Sequence, residues 1–232
     1  MTGPPGWLRS GWGRTAAVVV GCAFVGGIVW HLGPARVFGV LERSAPVFPV
    51  CCVLEGGMLV CAMLGLRSLY GPDRARLSAG SLAYAGLVGY VTMLIAPAGR
   101  AFAEVARAAL LSRRSTTARA AHAAYQMQAA CLLGNAVASV AAFAAALWLV
   151  GPKGYAWAIG ANLALTGTFG VLMLTAGRRG SLGGLLGRLV PKAQDFGASF
   201  DEVARGGGVP WAAVLWESCG RLLQTLEFTL LV

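Results

Sequence analysis

Long stretches without charged side chains run through this 232-residue chain and limit what it can fold into. The first runs from Thr15 to Gly33, nineteen residues without Asp, Glu, Lys or Arg. At about 1.5 Å rise per residue, a helix of that length crosses the roughly 30 Å hydrocarbon core of a bilayer. Charged residues make up only 12% of the chain and apolar residues 57%, which leaves too few charges for the surface of a soluble domain. We therefore expect an all-α, polytopic integral membrane protein.

The pattern of apolar runs predicts about five spanning helices in a single transmembrane domain over residues 1–232. The predicted spans are 15–33, 45–66, 120–150, 156–175 and 211–232. Residues 77–111 differ, because their apolar run is interrupted at Pro97-Ala98-Gly99 and resumes as a short charged segment. For these residues we predict a re-entrant helical hairpin. The polar, Gly-rich residues 177–210 predict a cytoplasmic loop with an amphipathic piece around residues 196–203.

The distribution of Lys and Arg favours the hairpin over a topology in which every apolar run crosses the membrane. With a hairpin, one face receives Arg9, Arg14, Arg67, Arg74, Arg76, Arg113, Arg114, Arg119, Arg178, Arg179, Arg188, Lys192 and Arg205. The other face receives only Arg36, Arg43 and Lys153. Because basic loops stay on the cytoplasmic side, we expect a cytoplasmic N-terminus. The richness in Ala, Gly and Arg suggests a bacterial source.

The charged half of the predicted hairpin is the first candidate site. Arg100, Glu104 and Arg107 share one narrow helical face, so Glu104 can pair with both arginines. The helix begins near Gly99, where free N–H groups and the positive end of the helix dipole favour an anion. We predict that Arg100, Arg107 and Gly99 bind the phosphate of a lipid. The alternative is a hairpin whose ion pairs only hold its shape.

The last apolar segment carries the second candidate cluster, a polar stripe that must face protein or water because charges in lipid are costly. We expect Glu217 to form an ion pair with Arg221, and Glu227 to form one with Arg100 or Arg107. The predicted polar groove consists of Glu55, Glu104, Glu217, Arg221, Gln224 and Glu227. The alternative interpretation is a buried network whose members satisfy one another.

Motifs for catalysis, metal binding or cofactors are absent from the sequence. There is no Ser/His/Asp set, HExxH motif or phosphate-binding loop, and the six cysteines lie in apolar stretches without metal-ligand spacing. The basic residues flank apolar runs and form no dense tract, so nucleic acid is not expected as a partner. We therefore expect no enzyme, no metal and no cofactor; the expected partners are membrane lipids and other integral membrane subunits.

The hairpin carries a motif that resembles a known family. Ala96-Pro97-Ala98-Gly99-Arg100, followed by Glu104 and Arg107 and then by Leu110-Leu111-Ser112-Arg113-Arg114, is similar to PGRAGE-x-x-R-x-x-LL-x-RR. That signature belongs to the lysylphosphatidylglycerol synthase transmembrane region, also called the flippase-like domain family. The resemblance implies a protein of the bacterial cytoplasmic (inner) membrane that moves or binds lipids. The family's soluble aminoacyl-transferase domain has no counterpart here, so lipid aminoacylation is not implied.

Two functions follow from these observations. The first is a lipid flippase or lipid-binding protein that handles an anionic, phosphate-bearing lipid. The second is a shortened family member that serves as a non-transporting accessory subunit of a larger membrane complex. The intact hairpin motif favours the first function, which we take as the main hypothesis. Departures from the family favour the second: Gln126, Gln128 and Asn135 stand where the family has a charged pair, and no second hairpin follows the last span.

Overall fold

The computed structural model describes residues 11–96, 99–179, 183, 184, 188 and 194–231, and every regular element among them is helical. The α-helices are α1 (Gly11–Leu32), α2 (Pro34–Ser44), α3 (Phe48–Leu69), α4 (Ala79–Ile95), α5 (Gly99–Leu111), α6 (Thr117–Val150), α7 (Gly154–Arg178), α8 (Gln194–Arg205) and α9 (Trp211–Leu231). A 3₁₀ helix, Gly71–Arg76, lies between α3 and α4. The chain divides into two compact units, one that ends at Cys51 and one from Cys52 to Leu230.

The first unit contains α1 and α2, which meet at a sharp bend. The axes of Cys22–Leu32 and Pro34–Ser44 differ by 97°. Gly33 takes φ 89°, a left-handed conformation that favours glycine, and Pro34 then starts α2. The predicted first span, 15–33, therefore corresponds to α1, and the segment after it is a separate helix.

The second unit is built around a core of small and branched apolar side chains. Its buried residues come from α3 to α6 and α9 and the segments beside them: Leu66, Leu69, Tyr70, Leu77, Leu82, Ala85, Leu111, Ala120, Ala123, Met127, Ala130, Ala213 and Val214. Alanine occupies five of these positions, so the helix backbones approach closely. This core holds the two predicted polar segments, α5 and α9, in one unit.

Helices α4 and α5 form a helical hairpin whose two ends lie together. Ser78 caps α4 by accepting a hydrogen bond from the Ser81 N–H. Beyond α5, the Ser115 hydroxyl donates to Asp73 Oδ2 at 2.9 Å, and Arg119 Nε lies 3.3 Å from the same oxygen. The chain therefore leaves the hairpin where it entered. Pro97 and Ala98, at the predicted turn, lie outside the described residues.

The longest helices, α6 and α7, run antiparallel after a turn at Gly151, which has φ 76°. They are joined by a hydrogen bond from Asn162 to Ser139 (3.0 Å) and by one from the Tyr125 hydroxyl to the Met173 carbonyl (2.5 Å). Helix α8 packs on both of them. It corresponds to the predicted amphipathic piece; residues 180–182, 185–187 and 189–193 of the predicted loop lie outside the described residues.

Three described helices are long and apolar enough to cross a membrane: α3, α6 and α7 up to Gly177. The bent pair of α1 and α2 would make a fourth. Helix α9, one of the five predicted spans, falls outside this set because it carries Glu217, Arg221 and Glu227. The chain is thus an all-helical protein with three or four apolar helices of membrane-spanning length.

The joined ends of the hairpin predict the membrane face of the flanking loops. In a background without native cysteines, Arg74→Cys and Arg114→Cys should react with a membrane-impermeant maleimide from the same side, since both positions are exposed and flank the bonded Asp73–Ser115 pair. Lys153→Cys, exposed in the turn at the far end of α6, should react from the opposite side. Labelling of Arg74→Cys and Arg114→Cys from opposite faces would contradict the topology.

Candidate functional site

The charged residues of the hairpin and of the last helix meet in space. Arg100 Nη2 on α5 lies 2.7 Å from Glu217 Oε2 on α9, a hydrogen-bonded ion pair. The Glu217 side chain is 7% exposed and that of Arg100 is 27% exposed, so the pair is largely buried. Glu217 lies within reach of the hairpin, as expected, but its partner is Arg100 and not Arg221.

A second ion pair lies one turn further along α5. Arg107 Nη1 is 2.6 Å from Glu104 Oε1, and both side chains are buried. The predicted pairing of Glu104 with Arg107 is therefore present. Its predicted pairing with Arg100 is not, because Arg100 reaches across to α9. Because Arg100 pairs with Glu217 and Arg107 pairs with Glu104, neither arginine forms the ion pair that was expected with Glu227.

Arg221 differs from the other two arginines of the site. Its Nη1 donates to Gln224 Oε1 at 2.8 Å, and its Nη2 lies 3.4 Å from the Cys131 sulfur on α6. Among the described residues, no carboxylate lies within ion-pair distance of it. Arg221 is half-buried, and its hydrogen-bond partners among the described residues, Gln224 and Cys131, are neutral groups.

These side chains line a cavity of about 450 Å³ formed by α3, α4, α5 and α9. Of the predicted residues, its wall includes Glu55, Arg100, Arg107, Glu217, Arg221 and Gln224. The apolar part of the wall includes the exposed side chains of Leu94 and Trp216. Two of the three guanidinium groups on the wall are paired with carboxylates, so the cavity combines the charged side chains of Arg221 and Glu55 with apolar surface.

Three predicted residues lie outside this wall. Glu104 is buried and paired with Arg107, and Glu227 is half-buried and interacts electrostatically with Glu55. Gly99 begins α5, but its N–H donates to the Ala96 carbonyl at 3.0 Å. That N–H is therefore not free for a phosphate. Gly99 also lies so close to the Met93 carbonyl that a Cβ would approach its oxygen to 2.8 Å, which explains why glycine stands here.

The sequence did not single out Gly89 or Tyr70, although both help to form the site. The Arg107 guanidinium lies directly over Gly89 of α4, where a Cβ would overlap Arg107 Nε. Tyr70 follows α3 and is fully buried. Its hydroxyl has no hydrogen-bond partner among the described residues, as is true of Glu104 Oε2 and Arg107 Nε. Burial raises the pKa of the Tyr70 phenol, and the charge of Glu104 raises it further. Of these two residues, only Gly89 could have been recognised from the sequence, as a small residue within an apolar helix.

The close contact at Gly89 predicts a selective effect of one added methyl group. Gly89→Ala should lower the melting temperature of the detergent-solubilised protein, because overpacking against Arg107 costs about 1–3 kcal/mol. Gly80→Ala on the same helix is the matched control, since a Cβ there has no atom within 4 Å. This control should leave stability unchanged or raise it slightly. Equal melting temperatures for the two variants would rule out the tight packing of Arg107 on α4.

Comparisons with known proteins add no relative: no family model, no curated protein and no solved structure matches the chain. The resemblance of residues 96–114 to the flippase-like family therefore stays a prediction.

Proposed function

We propose that the protein binds an anionic, phosphate-bearing membrane lipid in the cavity between the hairpin and α9, as a flippase-like or lipid-binding protein. The proposal is supported above all by Arg221, a cation on the cavity wall that has no carboxylate partner in the part of the chain that the structure describes. A charge in that position is costly at membrane depth unless it meets water or an anion. A lipid phosphate supplies the anion, and its acyl chains suit the exposed apolar wall.

The proposed topology has five spans, α1, α3, α6, α7 and α9, with α4 and α5 as a re-entrant hairpin. Helix α4 has 17 residues and α5 has 13, which correspond to roughly 25 and 20 Å, less than a roughly 30 Å hydrocarbon core. Their joined ends lie beside Arg74, Arg76 and Arg119, the basic residues expected at a cytoplasmic face. In this arrangement the N-terminus is cytoplasmic, and the membrane is the inner membrane of a bacterium.

The proposed roles of the three arginines follow from their partners. Arg221 makes the first contact with phosphate, because its charge is not neutralised by a carboxylate. Arg100 lies near Arg221, since the charges of both guanidinium groups act on the Cys131 thiol. Arg100 therefore provides a second contact to the phosphate while it stays paired with Glu217. Arg107, buried against Gly89 and paired with Glu104, contributes mainly to the shape of the hairpin.

Replacing Arg221 tests the lipid site directly. Arg221→Gln should weaken binding of phosphatidylglycerol to the purified protein roughly ten- to a hundredfold, because charge-assisted hydrogen bonds contribute about 1.5–3 kcal/mol and 1.4 kcal/mol is tenfold. Arg221→Lys should recover part of the affinity, since it keeps the charge but loses the planar fork. Arg114→Gln removes an exposed arginine outside the cavity and serves as the control. Binding that is unchanged in Arg221→Gln would count against the proposal.

One observation favours the second function, an accessory subunit of a larger membrane complex. Both hairpin arginines already have carboxylate partners, as a purely structural network requires.

Under either function, Arg107→Ala should reduce the stability of the protein, because a buried Glu104 without its partner costs about 3–5 kcal/mol.

The two functions are separated by what copurifies from native membranes. An accessory subunit should bring other integral subunits with it, lose them in Arg107→Ala, and show the same lipid content in Arg221→Gln as in the wild type. A lipid-binding protein should purify without stoichiometric protein partners and lose anionic lipid selectively in Arg221→Gln.

A further inference from the structure

Helix α2 carries apolar and charged side chains on opposite faces. At about 100° per residue, its large apolar side chains share an arc of roughly 160°: Val37, Phe38, Val40 and Leu41. The charged side chains lie on the rest of its surface: Arg36, Glu42 and Arg43. No residue of α2 is buried, and Phe38, Val40 and Leu41 are each more than half exposed. The described part of the chain therefore leaves most of this apolar face uncovered.

Helix α8, which is also amphipathic, shows how such a face is covered when the partner is the protein itself. Phe200 of α8 is 8% exposed and makes edge-on contacts with the rings of His122 and Tyr125 on α6, at centroid distances of 5.4 and 6.2 Å. The apolar face of α2 has no comparable burial. An uncovered apolar face opposite charged residues is typical of a helix that binds a surface outside its own chain.

The bend between α1 and α2 sets the direction of α2. The two helix axes differ by 97°, and backbone hydrogen bonds hold the bend. The Gly33 N–H donates to the Trp30 carbonyl at 3.3 Å, and the Gly33 carbonyl accepts from the N–H groups of Arg36 and Val37 at 3.0 and 3.1 Å. Because α1 crosses the bilayer in the proposed topology, α2 then runs nearly parallel to the membrane plane.

Trp30 indicates the depth of this bend. It lies three residues before Gly33 and is 81% exposed. Tryptophan is enriched at the level of the lipid head groups, because its ring is apolar and its N–H is polar. The three charges among the 11 residues of α2 are costly in the hydrocarbon core. Both observations place α2 at the interface between the acyl chains and water.

Lipid is a better match for the apolar face than a second protein. A specific protein interface takes roughly 20–30 residues from each side, whereas α2 has 11 residues and offers four large apolar side chains. An interfacial helix needs only to reach the acyl chains with its apolar face while its charged side chains stay at the head groups. Lipid also surrounds the exposed side chains of α1, so one continuous surface covers both helices.

We infer that α2 lies on the outer surface of the bilayer, with Phe38 and Leu41 among the upper acyl chains and Arg36 and Arg43 at the level of the head groups. This rests on the proposed topology, in which α1 crosses the membrane from a cytoplasmic N-terminus. It uses no residue of the Arg221 cavity. Arg36 and Arg43 are two of the three basic residues assigned to the outer face, and here they meet lipid phosphates.

Spin labels on the two faces of α2 provide the test. The protein, without its native cysteines, is placed in vesicles of phosphatidylethanolamine and phosphatidylglycerol. A label at Leu41→Cys should collide mainly with oxygen, which concentrates in the acyl chains. A label at Gly39→Cys, on the charged face with no atom near its Cβ position, should collide mainly with a water-soluble nickel complex. The ratio of the two collision rates should differ at least threefold between these positions.

A third label distinguishes failure of the inference from failure of the topology. Val25→Cys, exposed within α1, should show the oxygen preference of the hydrocarbon core. With that preference present, equal ratios at Leu41 and Gly39 would overturn the inference alone. Shielding of the Leu41 label from both reagents would indicate a protein partner and also overturn it. A Val25 label that collides mainly with nickel would contradict the proposed topology and the inference together.

Discussion

The ion pair between Arg100 and Glu217 is the interaction on which the arrangement of the second unit depends. Each residue alone would place a charge among apolar helices, and an uncompensated buried charge is strongly destabilising. Together, at 2.7 Å, they fix α5 of the hairpin to α9. The approach of α9 is possible because α6 has glycine at position 134, where a Cβ would lie 2.9 Å from the Glu217 Cβ. Gly134 of α6 thereby allows the Glu217 carboxylate to reach Arg100 of the hairpin.

The same principle, a glycine beneath a charged side chain, recurs at Arg107. Its guanidinium occupies the space above Gly89, and in this position Arg107 Nη1 lies 2.6 Å from Glu104 Oε1. Membrane helices associate through close packing of small residues, since lipid provides no hydrophobic driving force between helices. In this protein the small residues therefore position the charges as well as pack the helices, and the polar cluster depends on backbone distances as much as on its own ion pairs.

The sequence allowed the apolar helices to be predicted, but not the charge pairs that join different helices. Apolar runs define helix boundaries, and α3, α6 and α7 lie close to the predicted spans. Helical periodicity identifies neighbours within one helix, so it found Glu104–Arg107 and also suggested Glu217–Arg221, which does not form. Pairs between helices depend on the rotation of two helices about their axes, which periodicity does not encode. For the same reason the proximity of His122 to Gly207, far apart in the chain, could not be predicted.

The pairing pattern determines where net charge remains in the cavity. Arg100 with Glu217 and Arg107 with Glu104 are internally neutral, so Arg221 supplies unpaired positive charge, and Glu55 with its neighbour Glu227 supplies negative charge at another part of the site. An anionic group at Arg221 relieves the cost of that charge, whereas the same group beside Glu55 increases repulsion. A ligand that binds only the folded state also stabilises it in proportion to the logarithm of its concentration. Under the proposed function, a lipid bound at Arg221 would therefore stabilise the fold, because it would neutralise an arginine that has no ion-pair partner among the described residues.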